Sequence, residues 1–160
     1  MQEINSQLKN SILSKPIAEL VPHSPPMVLI DRVLDFGPSQ LHAEVDISPQ
    51  SRFYSADKEG VENLVAIEYM AQTIAALAGV RAVLRDEPVK LGFLLGSRKL
   101  QLYQPVFKSG HTYQVNVEEV YMDNSGLGAF QCTISLDGEL MAEAKLSVFE
   151  TNDENQLLTN

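Results

Sequence analysis

Between Leu64 and Val80 the chain runs through about 17 residues that are apolar almost throughout, and Glu68 is the only ionisable side chain there apart from the weakly acidic Tyr69. A carboxylate buried in such surroundings is costly unless it is paired or its pKa rises. A carboxyl held protonated near neutral pH suits a general acid. The alternatives are an exposed helix position and a structural ion pair. Gln72 follows four residues later, one helical turn on along the same face. Its amide either orients the carboxyl or belongs to a polar stripe facing solvent or a partner. His23 sits in Pro22-His23-Ser24-Pro25-Pro26, a rigid loop able to hold an imidazole over a cleft or to display an ordinary loop residue.

The other candidates are weaker. His42 falls on a strand and His111 at a strand start, and both read as surface residues. Cys132 alternates onto an apolar face with Phe130 and Ile134, which marks a core residue. Three scattered histidines and one cysteine have no metal-ligand spacing, so no metal is expected, and no cofactor is implied.

Bulk properties narrow the partners. A formal charge of −9 argues against nucleic acid, although a local basic patch can still meet an acidic protein. Arg81 and Arg85 at i, i+4, with Lys90, Arg98 and Lys99, are candidates for such a patch, and the first pair equally suits a helix C-terminus. A lone cysteine cannot form an internal disulfide, which favours a reducing, cytoplasmic setting. Met1 to Lys15 lacks a basic start and apolar core, so no signal peptide is read there. The 64–80 run is at the short limit for a bilayer crossing and carries Glu68, Gln72 and Thr73, so a core helix is expected and membrane insertion is not.

These residues need a scaffold, and 160 residues suffice for one domain, with 1–15 and 151–160 peripheral or frayed. Pro16 to Val21 reads as a short helical turn. Met27 to Phe36 and Leu41 to Ile47 read as two strands joined at Gly37-Pro38-Ser39. Ser48 to Gly60 shows no pattern. A long helix over about 61–84 follows, with Asp57, Glu59 and Glu62 near its start and Arg81 and Arg85 near its end. The rest is β: Leu91–Leu102 up to the break at Pro105, then His111–Met122 with a bulge near Glu118-Glu119. After a turn at Asn124-Ser125-Gly126, Phe130, Cys132, Ile134 and Leu136 share one face of a strand. A hairpin at Asp137-Gly138 leads to Leu140, Ala142, Ala144, Leu146 and Val148 on one face of the last strand. This order implies an α+β domain whose antiparallel sheet covers one face with the single long helix.

Three motifs in this order resemble the hot-dog fold dehydratases that act on 3-hydroxyacyl thioesters of acyl carrier protein. They are Ile17–Val33 (IAELVPHSPPMVLIDRV), Ile67–Gln72 (IEYMAQ) and Phe93–Gly110 (FLLGSRKLQLYQPVFKSG). The resemblance implies a curved sheet of about six strands wrapped around the helix. It also implies Glu68 as catalytic acid with Gln72 as companion, and Gly60 and Val61 as helix-start backbone for the thioester carbonyl. The main branch places its catalytic histidine in a loop before the helix. Here that region is Ser51 to Asp57, without histidine, and Tyr54 stands at the corresponding place, where it gates or fills the cleft. The pairing of Pro22-His23-Ser24-Pro25-Pro26-Met27 with Glu68-Tyr69-Met70-Ala71-Gln72 is similar to the divergent group of aryl-polyene and related lipid clusters. By that resemblance His23 serves as base and the product is a trans-2-enoyl thioester. The same resemblance implies a homodimer, or a heterodimer with another hot-dog subunit, and a carrier-protein partner. Thioester hydrolysis and a non-catalytic subunit that stabilises an active partner are the alternatives.

Overall fold

Alternation of apolar and polar residues dictates how the sheet is covered. In the computed structural model, residues 5–21 and 27–151 are described. Strands β1 (Arg32–Phe36), β2 (Gln40–Asp46), β3 (Tyr54–Ser55) and β4 (Gly60–Glu62) precede the long helix α2 (Ala66–Arg85). After it come β5 (Leu91–Leu102), β6 (Val106–Lys108), β7 (Thr112–Met122), β8 (Leu127–Leu136) and β9 (Glu139–Thr151). Six strands form one antiparallel sheet in the order β1-β2-β7-β8-β9-β5, and β3, β4 and β6 form a small second sheet. The inward row of the large sheet, including Leu41, Ala43, Val115, Ile134, Ala144 and Leu146, is fully buried. Met70 and Leu77 of α2 pack into the same core, each contributing roughly 1.5–3 kcal/mol by leaving water.

A short helix α1 (Ser6–Leu13) is capped by Asn5, whose side chain accepts from the Gln7 N–H at 2.7 Å. Its Ile12 has no exposed surface, so this part of the N-terminal segment belongs to the core rather than the periphery. The helical turn expected after Pro16 is a single 3-10 turn at Ile17–Glu19.

Several boundaries move for identifiable reasons. The first strand begins at Arg32, not Met27, because the amides of Leu29 and Ile30 go to a helix side chain instead of a neighbouring strand. Residues 61 and 62, expected in the helix, belong to β4. A 3-10 turn at Asn63–Val65 then leads into α2. That entry is fastened to the corner after β5, where the Asn63 N–H and side chain donate to the Pro105 and Gln104 carbonyls at 3.1 and 3.0 Å. The acid in the first turn of α2 is Glu68 itself rather than Asp57, Glu59 or Glu62. The helix stops at Asp86, which is left-handed at φ 50°, and the Glu87 N–H closes back on the Ala82 carbonyl before Pro88.

The β half follows the pattern closely. The bulge expected in β7 lies between Glu119 and Tyr121. Asp137 and Gly138 form the two-residue hairpin with φ of 51° and 83°. A bulge between Ile134 and Ser135 throws Leu140 off the inner row, so it is 37% exposed while Met141 is buried. Strand β5 is the edge of the sheet and pairs on one side only, with β9; Leu94 and Leu95 on it are exposed.

Candidate functional site

Helix α2 is apolar nearly all round, but the sheet covers only one side of it. The stripe away from the sheet runs from Leu64 (60% exposed), in the turn before the helix, through the exposed Glu68 to the half-buried Ala71, Ala75 and Ala78. Glu68 is therefore exposed in the isolated chain, and the burial cost argued from the run of apolar neighbours does not apply to it. It stands at one end of a cleft of about 180 Å³ between this stripe and the edge strand, opposite Phe93, Leu94 and Val148.

Gln72 does neither of the things expected of it. Its side chain turns inward and is only 1% exposed. The carboxamide oxygen accepts from the Leu29 N–H at 2.8 Å and the Ile30 N–H at 3.4 Å, and the nitrogen donates to the Met27 carbonyl at 2.5 Å. Both ends of the amide are thus spent on the main chain of 27–30. His23 itself falls in 22–26, outside the described residues. Its described flanks are both held by α2. Gln72 grips the segment after it, and Gly79 lets the helix meet the Leu20 main chain before it. A Cβ on Gly79 would lie 1.9 Å from the Leu20 carbonyl oxygen, a contact only glycine avoids.

Gly60 and Val61 form the middle strand of the small sheet, paired with β3 on one side and β6 on the other. They do not open the helix, so they do not supply helix-start N–H groups. Gly60 is required for another reason: a Cβ there would lie 2.2 Å from the Phe107 carbonyl oxygen. Tyr54 lines a separate, more open cleft of about 700 Å³ with Asp31, Arg52 and Tyr69. Sequence reasoning missed Asp31. Desolvation in this cleft raises the pKa of its carboxyl, although the Asp46 N–H donates to it at 2.7 Å. Burial, then the Asp31 charge, pushes Tyr69 upward too. Tyr54 and Glu68 line different clefts, so they do not meet within one chain.

Of the basic residues, Arg81 donates to Glu119 at 2.9 Å and to the Pro38 carbonyl at 2.9 Å. Arg81 and Glu119 line a depression at the end of α2, where Arg85 and Lys90 are exposed beside them, and Arg98 and Lys99 are exposed farther along β5. Cys132 is buried, its thiol pushed up to about 12 by desolvation, and so is inert as a nucleophile. Among the described residues no group of three or more His, Cys, Asp or Glu could hold a metal ion. The one described helix long and apolar enough to cross a membrane, Asn63–Arg85, is the helix that packs on the sheet.

The ApeP dehydratase model of the ApeP-like family matches residues 15–159. The chain belongs to the ApeP-like dehydratase family. Among family relatives, the chain is 32% identical to the 3-hydroxyacyl-[acyl-carrier-protein] dehydratase FabZ of Psychromonas ingrahamii, over 86% of this chain and 92% of that protein. The FabZ of Haemophilus influenzae is 30% identical, over 89% of this chain and 97% of its own length. A solved chain of the dehydratase heterocomplex ApeI:P from Xenorhabdus doucetiae superposes with a TM-score of 0.83 at 26% identity, covering 91% of this chain and 96% of that one. The fold of the family is the one described here: a six-stranded antiparallel sheet carrying a single long helix.

Proposed function

We propose that this protein dehydrates 3-hydroxyacyl thioesters carried on acyl carrier protein, giving trans-2-enoyl thioesters for fatty-acid or polyene-type lipid synthesis. The observation that carries this reading is the placement of Glu68. It stands at the head of a cleft whose helix wall continues through Ala71, Ile74, Ala75 and Ala78, in a chain of the ApeP-like dehydratase family. Glu68 protonates the departing C3 hydroxyl as water leaves, and His23 removes the C2 proton. Gln72 serves by holding the main chain that follows His23. Tyr54 lines the neighbouring cleft, and the buried Gly60–Val61 strand backs it by pairing with Tyr54 and Ser55.

Because Glu68 and Tyr54 face different clefts, the site closes with a second hot-dog subunit, identical or related, laid along the open edge of β5 and the Glu68 stripe. The carrier protein docks on the exposed cations Arg85, Lys90, Arg98 and Lys99, and the enzyme works in the cytoplasm. The test is turnover of carrier-bound 3-hydroxyacyl and saturated acyl chains by the purified protein, alone and with its hot-dog partner. Enoyl product from the hydroxyacyl chain, no thiol release from the saturated one, and a loss of about 100-fold or more with Glu68→Gln and with His23→Ala support the reading. Thiol release from the saturated chain would make the protein a thioesterase.

A second reading rests on Tyr54, which stands where the main branch has its loop histidine. Under it the chain stabilises an active partner without taking part in proton transfer. Unchanged activity of the complex with both Glu68→Gln and His23→Ala would establish that role.

A further inference from the structure

Glu68 is the third residue of α2, inside the first turn, where the N–H groups have no intrahelical partners and a helix frays unless something else holds it. Ala66 and Met70 bury the inner side of this turn, but no side chain caps it. Val65, just before α2, makes no capping bond, and neither does Glu62 before the 3-10 turn; Glu62 is ion-paired with Lys58 instead. Leu64 within the 3-10 turn is exposed and adds little packing. Among the described residues no hydrogen bond or ion pair holds the Glu68 carboxyl. The entry is fixed at Asn63. Its N–H donates to the Pro105 carbonyl at 3.1 Å, one step beyond the Glu62–Val106 pair that ends the β4–β6 ladder. Its side-chain amide donates to the Gln104 carbonyl at 3.0 Å. Both acceptors are rigid, because proline fixes its own φ and restricts the residue before it. The Tyr103 N–H also donates to the Met141 carbonyl at 2.9 Å, which ties the corner to β9.

We propose that Asn63 is a positioning residue for Glu68: its two bonds to the corner between β5 and β6 set the direction in which the first turn of α2 presents the carboxyl to the substrate. The inference rests on the dehydratase reading, in which Glu68 is the acid, and adds a residue to that machinery. One bond would leave a pivot, whereas two bonds to neighbouring carbonyls fix an orientation. The main-chain bond survives any ordinary substitution at position 63, so the side-chain bond is what asparagine contributes. The lever it controls is short. Three residues of 3-10 turn at about 2.0 Å each and two of α-helix at about 1.5 Å put Glu68 about 9 Å from Asn63 along the axis. A tilt of about 6° at Asn63 then moves Glu68 by about 1 Å, an error that costs proton transfer about tenfold or more.

The experiment compares Asn63→Ala with the parent on a carrier-bound 3-hydroxyacyl substrate, each with whatever partner subunit it requires. Expected is a fall in kcat of about tenfold with KM within about threefold of the parent. In a Glu68→Gln background the same substitution should change the residual kcat by no more than about twofold, because misplacing the acid no longer matters once the acid is gone. Asn63→Asp keeps the shape but cannot donate to Gln104, and should lose as much as Asn63→Ala. Hydrogen exchange at the amides of 66–69 should speed up by about tenfold in both variants, with the amides of β7, β8 and β9 unchanged. An equal loss of kcat in the Glu68→Gln background would make the role merely structural and overturn the proposal, as would parent-like kcat in either single variant. If the parent turns over no hydroxyacyl substrate, the dehydratase reading has failed, and exchange alone decides the fastening. Faster exchange at 66–69 then sustains it, and parent-like exchange refutes it.

Discussion

Replacing Gln72 with alanine should destabilise this protein severely, and the structure sets the scale. The side chain is fully enclosed and makes two hydrogen bonds of 2.8 and 2.5 Å and a longer one of 3.4 Å, all to the main chain of 27–30. Truncation leaves the buried Leu29 N–H without its partner, which costs about 1–3 kcal/mol, and loses the bond to the carbonyl of Met27, an exposed residue, worth about 0.5–1.5 kcal/mol. Together these give about 1.5–4.5 kcal/mol, against a total stability of about 5–15 kcal/mol for a domain. At about 2–4 °C per kcal/mol for a chain of this size, the melting temperature should fall by roughly 3–18 °C. Thermal unfolding at one fixed protein concentration reads this, since assembly makes the midpoint concentration-dependent. Gln72→Glu sharpens the test. The introduced carboxylate can still accept from Leu29 but repels the Met27 carbonyl and is desolvated, so its folded pKa rises above the ordinary value. The folded state then binds the extra proton, and this variant should gain stability relative to the parent as pH falls from 7 toward 5. Hydrogen exchange should show a protected Leu29 amide in the parent and an unprotected one in Gln72→Ala. A melting temperature within 2 °C of the parent for Gln72→Ala, at about 1 kcal/mol or less, would refute the clamp.

Two further expectations follow from packing and charge. Gly79→Ala should lower stability by about 1–3 kcal/mol, because its Cβ would lie 1.9 Å from the Leu20 carbonyl oxygen, although alanine is the better helix former. Chemical denaturation checks it, and a gain would mean the helix and Leu20 are not in contact. Glu150, whose carboxyl is raised chiefly by burial, is a group whose ionisation works against folding. Glu150→Gln should therefore be the more stable form above the folded pKa of that carboxyl. The difference should vanish below about pH 4, where glutamate is protonated in folded and unfolded chains alike. Melting curves from pH 3.5 to 8 decide this, and a difference that grows on acidification would contradict it.

Local pattern was enough for most of the scaffold. Period-two rows such as Phe130, Cys132 and Ile134 fixed which faces of the late strands are inward, because a one-residue slip would expose every apolar side chain on them. The Asp137-Gly138 hairpin and the β7 bulge were legible for the same reason: each is a short-range break in an otherwise regular alternation.

What happens around α2 belongs to tertiary structure. The sequence alone established an apolar helix with one carboxylate, one amide a turn later and a histidine in a proline-rich loop. An apolar run does not say which side the sheet will cover, and that choice put Glu68 at the surface and Gln72 in the interior. The amide could not be assigned from spacing, since its partners lie more than 40 residues away in sequence on the main chain of 27–30. Gly60 and Val61 likewise read as a helix start until pairing with β6, far along the chain, drew them into a strand. Side-chain chemistry is written residue by residue, whereas burial and partnership depend on which distant segments fold against each residue.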